Sequence, residues 1–87
     1  MILDLMMTVR GNRVEYQLPQ AGRLTVKLYN LLGQEVRTLV REYRDMGSYQ
    51  TSWDGRDNGG RRAASGVYLV RLEAADRHLA GKMLVVR

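Results

Sequence analysis

Few residues in this chain are of a type that could do chemistry. A nucleophile needs a base beside a hydroxyl or thiol. The sequence has no cysteine and one histidine, His78. His78 follows Ala74-Ala75-Asp76-Arg77, a turn signal, so its expected place is a solvated hairpin or an edge strand. Paired carboxylates can serve acid–base work when an apolar pocket raises one pKa. Here the acids fall in turns and on the polar side of alternating segments. The sequence predicts no enzyme, no cofactor and no small-molecule substrate.

The richest set of ligating oxygens is in Asp54-Gly55-Arg56-Asp57-Asn58-Gly59-Gly60. Asp54, Asp57 and Asn58 in a Gly-rich loop could offer oxygens to Ca²⁺, which takes about six to eight of them. The spacing is not that of an EF-hand, and no bidentate Glu follows. The simpler reading is turn chemistry, with Asp54 bonded to its own loop and Asp57-Asn58-Gly59 making a tight reversal. Trp53 could stack a sugar ring. It is in phase with Tyr49 and Thr51, which favours a place in the core or at its edge. Tyr16, Tyr29, Tyr43, Tyr49 and Tyr68 could stack bases among the arginines. They are scattered over different segments, and packing explains them more simply.

These residues sit on short alternating segments. Arg13-Val14-Glu15-Tyr16-Gln17-Leu18 alternates strictly, as a strand with one buried face does. Pro19-Gln20-Ala21-Gly22 ends it, and Arg23 to Tyr29 alternates again with Leu24, Val26 and Leu28 on the buried side. Asn30-Leu31-Leu32-Gly33 is the next turn. Glu35 to Tyr43 is ambiguous. Val36, Leu39, Val40 and Tyr43 have helical spacing, and a strand over Glu35–Val40 followed by a loop fits as well. Ser48 to Trp53 reads as a strand. Gly66 to Leu72 is apolar on both faces, as a central strand is. Lys82 to Arg87 closes the chain as a strand. Six strands result, with Leu3–Val9 a candidate seventh. Their spacing of roughly ten residues between turns points to an all-β sandwich.

The bulk numbers bound the rest. The 87 residues allow one domain, residues 1–87, with a thin core. The formal net charge is +5, and twelve of the fourteen basic residues are Arg. Such a balance can mark an anionic partner, a glycan or nucleic acid among them. The basic residues form no run, so nucleic acid is the weaker expectation. No stretch approaches the ~18 apolar residues of a membrane span. An export signal would have to lie outside these residues, which would make the chain a piece of a longer protein.

Several segments then carry a resemblance. Val14-Glu15-Tyr16-Gln17-Leu18-Pro19-Gln20-Ala21-Gly22 leads into Leu28-Tyr29-Asn30-Leu31-Leu32-Gly33-Gln34-Glu35-Val36. Ser52-Trp53-Asp54-Gly55-Arg56-Asp57, Ser65-Gly66-Val67-Tyr68 and Lys82-Met83-Leu84-Val85-Val86-Arg87 follow in order. The set resembles the C-terminal sorting domain of the type IX (Por) secretion system, and equally the immunoglobulin-like domain of the flagellar hook-capping protein family. The resemblance covers residues 10–87, while 1–9 match poorly. It implies a seven-stranded antiparallel immunoglobulin-like β-sandwich, and so a strand over Glu35–Val40.

It also implies a non-catalytic sorting or anchoring module on an exported bacterial protein, at the cell surface or in the periplasm. The partners would be secretion machinery and an upstream passenger domain. Pro19, Gly22, Gly33, Gly66, Tyr68, Lys82 and Arg87 would be its recognition residues. A hook-cap-type scaffold domain acting by protein–protein contact is the alternative, and an accessory glycan-binding module a third. Long edge strands without proline leave dimerisation open.

Overall fold

The computed structural model describes residues 4–86. Seven strands follow one another: β1 Met6–Arg10, β2 Arg13–Leu18, β3 Gly22–Tyr29, β4 Glu35–Arg44, β5 Gly47–Ser52, β6 Gly66–Ala74 and β7 Arg77–Val85. They form two sheets in which every pairing is antiparallel, one of three strands in the order β1-β2-β5 and one of four in the order β4-β3-β6-β7. Hairpins join β1 to β2, β3 to β4 and β6 to β7, and the other connections cross between sheets.

Alternation builds the core. Val14, Tyr16 and Leu18 of β2 face Leu24, Val26 and Leu28 of β3 and Tyr68, Val70 and Leu72 of β6 in one buried cluster. Trp53, Met83, Val40 and Leu5 complete it. Among the described residues no polar or charged residue is buried. The core therefore owes its stability to apolar burial, at roughly 1.5–3 kcal/mol for each large side chain.

The ambiguous segment is a single strand. β4 runs on to Arg44, past the Val40 end expected for it. Its pairing with β3 has register shifts between Val26 and Lys27 and between Leu28 and Tyr29. Val26 and Lys27 oppose Val40 and Thr38, so Leu39 is unpaired; Leu28 and Tyr29 oppose Arg37 and Glu35, so Val36 is unpaired. Each bulge adds one residue to a period of two. Two bulges three residues apart imitate a helical spacing, and both extra residues turn their apolar side chains against the core.

Other bounds also differ from expectation. The first strand is Met6–Arg10, not Leu3–Val9, because its ladder with β2 starts at Met6 opposite Gln17. Leu3 lies outside the described residues. The last strand begins at Arg77, since β6 and β7 form one continuous hairpin ladder from Ala74–Arg77 to Gly66–Val85. Arg87 lies outside the described residues. Gly81 sits where β7 passes β1. A Cβ there would meet Val9 Cγ2 at 3.1 Å and Met7 Cε at 3.3 Å, so glycine lets the two edge strands close that side of the sandwich.

Candidate functional site

A dense group of partnered polar side chains lies at one end of the molecule, where the β3–β4 turn meets the β5–β6 loop. Asn30 organises the turn. Its Oδ1 accepts the N–H groups of Leu32 and Gln34, each at 3.0 Å, and its Nδ2 donates to Gln34 Oε1 at 2.8 Å. Gly33, at φ 83°, donates its N–H to the Asn30 carbonyl at 3.0 Å. That left-handed conformation is the physical demand behind Gly33. The turn holds Leu31 and Leu32 outward, the latter 85% exposed.

The loop is braced by the residues suspected of holding Ca²⁺. Asp54 Oδ1 accepts from the Arg56 N–H at 2.9 Å and from Arg37 Nη1 at 3.0 Å. Arg37 also donates to the Arg56 carbonyl at 2.9 Å, tying β4 to the loop. Asp57 Oδ1 accepts the N–H groups of Gly59 and Arg61, both at 2.9 Å. Asn58 completes the edge of β4. It donates its N–H to the Val36 carbonyl at 2.9 Å, and its Oδ1 accepts the Thr38 N–H at 2.9 Å. One side-chain amide thus serves a strand edge that the Val36 bulge has interrupted. Asp54 and Asp57 spend a side-chain oxygen on closing their own loop, as turn chemistry requires, and Asn58 spends its oxygen on the edge of β4. Among the described residues no group of three or more His, Cys, Asp or Glu is placed to hold a metal.

The electrostatics follow from these contacts. The Asp54 carboxyl is held below its ordinary range by the Arg56 N–H, with help from the Arg37 charge. The Glu35 carboxyl is lowered first by its bond to Lys27, 3.0 Å away, and then by the Thr38 hydroxyl. Across the core, burial raises the Tyr16 phenol. Tyr16 stacks on Tyr49 with ring centroids 5.6 Å apart, and the Arg44 guanidinium covers Tyr49 at 4.9 Å.

Trp53 is not a platform for ligands. It is buried, its Nε1 donates to the Arg56 carbonyl at 2.8 Å, and Tyr68 meets it edge-on at 5.0 Å. Tyr68 in turn donates its hydroxyl to the Ala64 carbonyl, four residues upstream. A tyrosine near the start of a strand that bonds back to the preceding connection has the geometry of a tyrosine corner. Tyr68 is thus a packing residue that fixes the entry into β6.

The residues expected to act in recognition do not converge. Pro19 and Gly22 are at the β2–β3 connection, near the Ala75–Asp76 turn. Gly33, Gly66 and Tyr68 are at the opposite end. Lys82 is exposed on β7 opposite Leu69. His78, opposite Glu73, is exposed on the same edge strand.

A family model described as the FlgD Ig-like domain matches residues 8–78. The chain belongs to the FlgD Ig-like domain family. No curated protein matches. Within the FlgD Ig-like frame the match takes in both sheets, the Asn30 turn and the braced loop, and stops at the start of β7. It supports the hook-capping half of the resemblance and leaves the terminal Lys82–Arg87 segment outside its range. Sequence reading missed Asn30, Arg37 and Gly81 as organisers. An Asn three residues before a turn Gly and a Gly inside a strand pattern were the available signals. Arg37 had none, since its partners come from a loop 17 to 19 residues away.

Proposed function

We propose that this domain is a non-catalytic structural module of the hook-cap type, which works by protein–protein contact. The observation that carries this reading is the family match across residues 8–78. We infer an immunoglobulin-like sandwich of the three-plus-four kind, in which the fourth strand lies beside the third. Support comes from the corner formed by Tyr68 and Ala64. The same reading places the domain on an exported bacterial protein, in the periplasm or outside the cell, with other proteins as partners. Among the described residues no helix is long and apolar enough to cross a membrane.

A sorting role needs the terminal Lys82–Arg87 segment, and the match ends at residue 78, so it gives sorting no advantage over scaffolding. Deleting the domain from the complete gene product in its host separates the two. A scaffold module leaves export intact and removes the protein from its assembly, read by cell fractionation and co-sedimentation. Retention of the deleted protein inside the cell would instead establish sorting.

A further inference from the structure

The two outward faces of the sandwich differ in a way that folding does not require. On the three-stranded sheet the outward positions are Thr8, Arg10, Arg13, Glu15, Gln17, Ser48, Gln50 and Ser52, with one apolar side chain, Met6, and both arginines paired to Glu15. On the four-stranded sheet one end is apolar. Tyr29 lies opposite Leu69, Leu69 opposite Lys82, and Val67 opposite Leu84. Directly opposed side chains on one face sit within contact reach, and diagonal ones nearly so. Tyr29, Leu69, Val67 and Leu84 are therefore one continuous patch, with Leu84 65% exposed. Leu31, Leu32 and Val86 are exposed at the same end. Contiguous exposed apolar surface of this kind marks a contact site.

The charges around the patch select what covers it. Lys27 and Arg71 occupy the next row of the face, and Lys82 flanks Leu69. Arg23 and Arg41 lie further along. The carboxylates on this face are Glu35 and Glu73, and both are already paired, to Lys27 and to Arg71. Among the described residues Lys82, Arg23 and Arg41 make no ion pair, so the rim is net basic. Two copies meeting through this face would oppose like charges across a shared apolar centre, which disfavours a symmetric dimer.

We propose that the outward face of the four-stranded sheet, centred on Tyr29, Val67, Leu69 and Leu84, docks a folded protein whose contact surface is apolar at its centre and acidic at its rim. This rests on the protein-contact reading above and names its surface. A core-and-rim arrangement of this kind uses apolar burial for affinity and charge for orientation and encounter rate.

Site-specific photo-crosslinking of the complete gene product in its host tests it. One probe replaces Ala80, beside the patch on β7, and a control probe replaces Gln50 on the opposite outward face. The expected result is a protein adduct at position 80 and none at position 50, with the adduct identified by mass spectrometry as a different chain acidic around the crosslinked site. Lys82→Glu lowers the yield by about threefold or more, whereas Lys82→Arg keeps it. Leu84→Ser lowers it too, with the folded state verified by near-ultraviolet circular dichroism.

Adducts at position 50 alone overturn the choice of face and leave the protein-contact reading standing. Adducts to a second copy or only to lipid overturn the choice of partner. A yield unchanged by Lys82→Glu overturns the acidic rim. No adduct at either position overturns both this inference and the proposed function.

Discussion

Single residues here act mainly by satisfying backbone groups that loops and bulges leave open. Tyr68 shows the case most clearly, with a ring against Trp53 and a hydroxyl spent on the Ala64 carbonyl. Tyr68→Phe keeps the ring and strands the hydrogen bond, so a loss of about 1–2 kcal/mol is expected, read from the midpoint of urea unfolding. Glu35 gives the pH dependence. Its folded pKa is depressed below the ordinary carboxyl value, chiefly by the hydrogen bond from Lys27. Its stabilisation is therefore complete above the unfolded carboxyl pKa and is lost as pH falls through the folded one. The pair is partly exposed, so the effect stays under about 1 kcal/mol. Glu35→Gln should be less stable than the parent at pH 7, and the gap should narrow as the pH falls into the acid range below the ordinary carboxyl pKa, in parallel thermal melts.

At the scale of elements, edges decide the shape. The edge of β4 is interrupted by a bulge at Val36 and met by Asn58, while β1 and β7 close the other side around Gly81. The bulges also explain why this strand is legible as apolar but not as a strand, since its inward side chains lose the period of two on which recognition depends. β2, β3 and β5 kept that period and were readable, whereas β1 and β7 were expected with other bounds. Gly81 has an extended backbone, so a substitution there acts through space alone. Gly81→Val should force β1 away from β7 and cost about 1–3 kcal/mol. Hydrogen exchange should then show faster opening in Met6–Arg10 than in β3 or β6. Equal protection across all strands would mean that the contact at Gly81 does not hold β1.

The whole molecule is one core shared by both sheets, and β7 belongs to it although the family match stops at residue 78. Met83 is buried, and Leu79 and Val85 pack against the same cluster. A chain ending at residue 78 loses all three and exposes the edge of β6. Its expected behaviour is the loss of a cooperative unfolding transition by both calorimetry and tryptophan fluorescence. A sharp transition retained in that truncation would show that the matched region folds without its last strand.

The sequence by itself determined the all-β class, the positions of most strands and the buried sides of β2 and β3, because alternation is a local signal read along one strand. It also determined that Asp54, Asp57 and Asn58 lie in a turn-forming loop. Which oxygens those residues spend, and on what, was decided only by tertiary structure, since Arg37, Thr38 and Val36 reach the loop from another strand. The course of β4 depended on its register against β3, which no single strand encodes. Asp54, Asp57 and Asn58 brace loop and strand edge and Trp53 packs in the core, while His78 is exposed on the edge strand. The feature most open to a partner, the apolar patch of Tyr29, Val67, Leu69 and Leu84, exists only because β3 is laid beside the distant β6–β7 hairpin with their outward residues in line.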